Sequence, residues 1–211
     1  MYNIHSTSGI QKRNLFSEPV MMARRYMVGG AFLVEGGMLA VALLLGCLLD
    51  IAILPLLAPS PLALVLMVPL TIPMMGFLVA AYKLKFKAFT RLRELLEEEF
   101  AQLFQSCTNF DLFVIALLAG LGEEALFRGI AQTLLAGYLG PWTGLVLASL
   151  LFGFCHPFSK TYISIATLMG LYLGALYQWT GSLALPVGIH ALYDFAALLY
   201  IVRLRKGVRP A

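Results

Sequence analysis

The segment "GLGEEALFRG" holds Glu123, Glu124 and Arg128 inside an apolar stretch that starts at "DLFVIALLA" and resumes with "IAQTLLAGYLG". At helical pitch Glu124 and Arg128 are four residues apart, share one face and can pair. Glu123 is turned about 100° away and faces elsewhere, on the side of Phe127. One carboxylate therefore has a partner and the other is free. Two further groups follow: His156 at the end of "LFGFCHP", with Phe152 one turn before it, and "HALYD", with His190 and Asp194 one turn apart. A free carboxylate, two imidazoles and an aspartate supply what water activation needs: a base, a ring to hold the water and donors for an oxyanion. The same groups are the ligand types of a two-histidine, one-carboxylate metal site.

These groups must be held by a membrane protein. Apolar residues make up 60% of the 211 and charged residues 12%, about half the charged fraction of a soluble domain. Six spans are expected, at roughly 31–54, 62–82, 110–135, 142–156, 161–179 and 183–202. The fourth is short for a full crossing, and Pro69 and Pro73 are expected to bend the second. Lys12, Arg13, Arg24 and Arg25 precede the first span, Lys83 to Arg93 follow the second, and Arg203 to Arg209 end the chain. The opposite connections "PLLAPSP", "GYLGP" and "WTGS" carry no charge. Both termini are therefore expected in the cytoplasm, and the net charge of +4 reflects topology, with no nucleic-acid partner.

The expected organisation is a cytosolic tail over 1–30, containing His5, and two spans plus an amphipathic helix over 31–109. A four-span core over 110–202 and a basic tail over 203–211 complete it. In the amphipathic stretch 83–106, Leu92, Leu96, Phe100 and Leu103 recur at helical spacing, which suits an interfacial or cytosolic hairpin helix. Cys47, Cys107 and Cys155 form no CxxC pair and read as buried thiols. Glu35 and Asp50 read as helix–helix hydrogen-bonding groups, and Gly170 and Gly174 as sites of close helix packing. Depth counted at about 1.5 Å per residue puts Glu123 and His156 near the midplane and His190 about 10 Å nearer the outer surface.

"EEALFRG", "FGFCH" and "HALYD", in that order, resemble the EExxxR, FxxxH and HxxxN/D motifs of the CAAX-protease and bacteriocin-processing (CPBP, or Abi) intramembrane proteases. The resemblance covers roughly 110–200. It implies an all-α polytopic membrane endopeptidase whose site lies between the C-terminal four helices. By that likeness Glu123 is the general base, His156 shares its water, His190 and Asp194 stabilise the oxyanion, Glu124 and Arg128 support the base, and Phe152 packs. Some relatives have Asn where this chain has Asp194; an ionised carboxylate cannot donate to an oxyanion as an amide does. Asp194 is therefore protonated, orients His190, or ligates a metal. The family is described both as metalloprotease and as metal-free glutamate protease, so the cofactor is either a divalent ion such as zinc, held by Glu123, His156, His190 and Asp194, or none. The expected substrate is a peptide or membrane-anchored protein, in the plasma membrane of a prokaryote. A non-enzymatic immunity or scaffold protein of the same fold, and a proton or ion carrier, are the alternative classes. HExxH and GxSxG are absent, which removes zincin and serine-hydrolase plans.

Overall fold

The computed structural model describes residues 18–204, which are helical apart from short connections. The tail residues 1–17, with His5, Lys12 and Arg13, and the C-terminal residues 205–211 lie outside the described residues. α1 runs Glu18–Leu48, α2 is the single turn Ile53–Leu56, and α3 runs Pro61–Lys83. α4 (87–103), α5 (109–139) and α8 (184–204) are continuous helices, each containing a π-helical stretch: Leu95–Phe100, Ala125–Gln132 and Tyr200–Leu204. α6 is Pro141–Phe154 and α7 is Lys160–Thr180. Three segments are long and apolar enough to cross a membrane: Met21–Leu48, Pro61–Lys83 and Ala184–Arg203. Their large apolar side chains, among them Leu33, Leu44, Leu64 and Val65, are exposed on the protein surface, as a lipid-facing surface requires. This is an all-α polytopic membrane protein.

α5 is the hub, packing against α1 on one side, α8 on another and α6 through its C-terminal half, while α7 covers α6 and α3 covers α8. Its start is fixed by a capping box in which Thr108 Oγ1 accepts from the Asp111 amide and the Asp111 carboxylate accepts from the Thr108 amide. Arg24 of α1 then donates to both Asp111 oxygens, at 2.6 and 2.8 Å. Arg203 near the end of α8 donates to Asn109 Oδ1 at 2.9 Å. The starts of α1 and α5 and the end of α8 are thus tied together at one end of the bundle.

Several boundaries differ from the sequence expectation. α1 begins at Glu18, so residues 18–30 are already helical, and Arg24 within them pairs with Asp111. α3 is a continuous helix through Pro69 and Pro73, and Thr71 Oγ1 and Tyr172 OH donate to the carbonyls of Met67 and Leu70 between and beside them. In α4, Leu92 and Leu96 are buried against Leu78, Ala81, Ala197 and Ile201. The π turn then shifts the helical phase, so Ala101 takes the buried position and Leu103 is exposed. Cys107 is buried, whereas Cys47 and Cys155 are exposed; apolar thiols can face lipid as readily as a core. Asp50 bridges no helices: it occupies the turn after α1 in the left-handed region (φ 56°), where Asp is among the residues tolerated.

Because Asp111 both caps α5 and anchors Arg24, Asp111→Ala removes two stabilising contacts at once. It is expected to destabilise by about 1–2 kcal/mol, the upper range for a lost cap. Arg24→Ala, which leaves the cap intact, should cost less. Thermal denaturation of the purified protein in detergent compares the two.

Candidate functional site

Glu124 sits at the end of the α-helical part of α5 and is fully buried. Its Oε1 accepts from Arg128 Nη1 at 2.9 Å and from His190 Nδ1 at 2.8 Å. Arg128, also buried, spends a second donor on the Gly170 carbonyl at 3.2 Å and lies over the Phe152 ring at 4.4 Å, a cation–π contact made in a dry setting. A Cβ on Gly170 would sit 3.2 Å from Ser149 Cα, so the absence of a side chain lets α7 bring its carbonyl to the guanidinium. Gly174 repeats the arrangement one turn on, its carbonyl accepting from Gln132 Nε2 at 3.0 Å. The expected close packing at both glycines is present, and each also exposes a backbone acceptor.

Glu123 faces the other way, into a cavity of about 450 Å³. Its Oε2 is buried and has no hydrogen-bond partner. His156 Nε2 lies 3.7 Å from it and His190 Nε2 4.0 Å. Both rings have their other nitrogen occupied. His156 Nδ1–H donates to the Phe152 carbonyl at 2.8 Å, which leaves the His156 Nε2 lone pair directed toward Glu123. His190 Nδ1–H is held by Glu124, and its Nε2 faces Asp194 Oδ2 at 3.4 Å as well as Glu123. Phe152 supports the assembly from below, edge-on to Phe127 at 5.2 Å and against the His156 ring at 4.7 Å.

All seven residues singled out in the sequence therefore lie in one cluster. The depth expected for His190 is wrong, since its ring is within 4.0 Å of Glu123 rather than a membrane layer above it. α8 starts inside the protein. Gly181 closes α7 in the left-handed conformation (φ 63°), and the chain then turns inward under α2, where the Leu56 carbonyl accepts from the Leu183 amide and Ser182 Oγ. Leu183, Ala184 and Leu185 are already buried, so counting residues from 183 overestimates height.

Three features of the site go beyond the sequence reading. Glu124 pairs with Arg128 as its spacing predicts and also fixes His190. Glu35, expected as a helix–helix hydrogen-bonding group, lines the same cavity, and its Oε2 is likewise buried without a partner; a carboxylate within a span is the available signal. Aromatic residues of α4, the α6–α7 connection and the start of α7 also line the cavity, with Phe100 at 5.2 Å from Phe158 and Tyr162 stacked on His156 at 6.0 Å.

The donor types suit zinc, but their placement does not. Neighbouring ligands of a tetrahedral zinc are about 3.3 Å apart, whereas the two imidazole nitrogens stand 3.7 and 4.0 Å from Glu123 Oε2. Among the described residues no group of three or more His, Cys, Asp or Glu side chains could hold a metal ion. The 3.7 Å between Glu123 Oε2 and His156 Nε2 is compatible with one oxygen about 2.8 Å from each.

Fold and site together define a polytopic α-helical membrane protein with a buried carboxylate–imidazole centre at the end of an apolar cavity. Residues 106–196 match the family described as type II CAAX prenyl endopeptidase Rce1-like. "Uncharacterized protein YpbD" of Bacillus subtilis (strain 168) is 35% identical over 100 residues, which is 45% of this chain and 49% of the relative. The aligned region thus spans about half the length of that curated relative. No solved structure matches.

The shared Glu124 carboxylate makes a specific demand on stability. Glu124→Ala leaves Arg128 buried without its counter-charge and is expected to cost about 3–5 kcal/mol. The double substitution Glu124→Leu with Arg128→Met removes both charges and should recover a large part of that loss. Denaturation midpoints of the single and double variants in detergent measure the difference.

Proposed function

We propose that the protein is an intramembrane endopeptidase in which Glu123 activates a water for attack on a peptide bond. The observation that carries this reading is the unpartnered, buried Glu123 Oε2 facing two oriented imidazoles at the end of the cavity. Ionised Glu123 and the His156 Nε2 lone pair are both acceptors, so one water can donate a hydrogen to each. Its oxygen lone pairs are then turned outward. Glu123 takes a proton from this water as its oxygen bonds to the carbonyl carbon of the substrate. The carbonyl π electrons move to oxygen, and His190, held by Glu124 and carrying a proton on Nε2, donates to that oxyanion. Glu123 returns its proton to the amide nitrogen as the oxyanion re-forms the carbonyl and the C–N bond breaks, giving a carboxylic acid and an amine; the acid's proton then passes to the amine.

Asp194 is read as the group that orients the Nε2 side of His190, because it lies 3.4 Å from that nitrogen. Glu124 and Arg128 are positioning residues. Phe152 packs beneath the His156 ring and offers the carbonyl that sets its tautomer. The substrate class that fits is a peptide or membrane-anchored protein, since the cavity lining is dominated by apolar and aromatic side chains. The prenylated CAAX substrate belongs to the family's description. The chain is read as having both termini in the cytoplasm: Arg24, Lys83, the basic residues of α4, Lys160 and Arg203 gather at the same end of the bundle.

Wild-type and Glu123→Ala membranes compared by terminal-peptide proteomics should differ in a defined set of new termini. On a peptide spanning such a site, Glu123→Gln and His156→Ala are expected to lower kcat by about 10²- to 10⁴-fold, with unchanged thermal stability. Identical termini in the two membranes would point to a binding protein of the same fold. Dialysis against a chelator should leave activity in place, and loss that zinc restores would replace the water-only mechanism.

A further inference from the structure

One carboxylate in the cavity has no role in the chemistry above. Glu35 lies on α1, the most peripheral of the three long spans, of which only 11% of the span is buried. Its neighbours Val34 and Met38 also line the cavity, and Val34 is 56% exposed on the lipid side. Glu35 is thus at the lip where the cavity meets the bilayer, half-buried, with Oε2 fully shielded and unpartnered. It is held there by backbone contact. A Cβ on Gly122 would fall 2.3 Å from the Glu35 carbonyl oxygen, so α1 can lie against α5 beside Glu123 because residue 122 has no side chain.

An unpartnered polar atom in an apolar setting destabilises the folded protein. Glu35 therefore does not hold the fold together, and its position calls for a donor that arrives with something else. A segment cleaved inside a membrane must leave helical conformation near the scissile bond. That frees backbone N–H groups which hydrocarbon cannot satisfy. Among the described residues Glu35 is the one carboxylate in the lining outside the group formed by Glu123 and Asp194.

Resting on the endopeptidase reading, we propose that Glu35 is a substrate-binding residue: its Oε2 accepts a hydrogen bond from a backbone N–H of the extended segment as it enters from the bilayer past α1. The ligand class is an unwound peptide backbone, and a basic side chain is not required. An acceptor oxygen, not a negative charge, is what the site supplies.

The test uses the full-length protein in detergent and a fluorogenic peptide that spans a cleavage site mapped from the wild-type and Glu123→Ala membranes. Glu35→Leu should raise KM about tenfold, the loss of one hydrogen bond to a buried amide, with a smaller change in kcat. Its denaturation midpoint should equal or exceed that of the wild type, which a structural role for Glu35 would not allow. Glu35→Gln keeps an acceptor oxygen and should stay within about threefold of wild type, well under the tenfold effect of one lost hydrogen bond. An unchanged KM in Glu35→Leu, or equal failure of Glu35→Gln and Glu35→Leu, overturns the proposal while Glu123 dependence leaves the endopeptidase reading intact. Termini indifferent to Glu123 overturn that reading and this one with it.

Discussion

A single carboxylate oxygen, Glu124 Oε1, joins three helices of the core. It accepts from Arg128 within α5 and from His190 on α8, and Arg128 in turn reaches the backbone of α7 at Gly170. Charge in a dry interior is tolerated only when geometry and extra hydrogen bonds compensate its desolvation. Here the compensation fixes where α7 and α8 stand relative to α5. The site inherits that placement: once His190 is held through Nδ1, its other nitrogen can face only the Glu123 and Asp194 side.

The adjacent carboxylates divide the work because α-helical geometry turns them apart. Glu124 looks into the helix bundle, where its Oε1 carries both hydrogen bonds; Glu123 looks into the cavity and keeps its Oε2 unpaired. The π-helical stretch that begins at Ala125 follows directly, so the regular helix ends at this pair. Such stretches recur at functional sites, and this one carries Arg128 and Phe127, the two contacts that Phe152 uses to stay under His156.

Much of this was legible in the sequence because a bilayer makes ionisable residues scarce and therefore informative. Glu123, Glu124, Arg128, His156, His190 and Asp194 stood out by contrast, and the spacing of Glu124 and Arg128 gave their pairing directly. What escaped was set by contacts between distant segments. The pairing of Arg24 with Asp111, 87 positions away, has no local signal in the sequence. The height of His190 could not be counted from the chain, because the inward turn at Leu183 depends on the carbonyl of Leu56 in an element only four residues long. Hydropathy locates spans; it does not say which of them begin inside the protein.

The shared carboxylate also explains why the two histidines differ despite similar distances from Glu123. His156 is tied to a neutral carbonyl of its own helix, Phe152, and so presents a lone pair. His190 is tied to a carboxylate and faces another, Asp194, on its far side, so it sits where a second proton is useful. One ring therefore suits holding a water by accepting from it, and the other suits donating to an oxyanion. In the proposed mechanism Asp194 acts through His190, so no donor is required at the position where an amide would supply one. In the proposed mechanism the chemistry of each imidazole follows from the partner on its opposite nitrogen, not from its distance to Glu123.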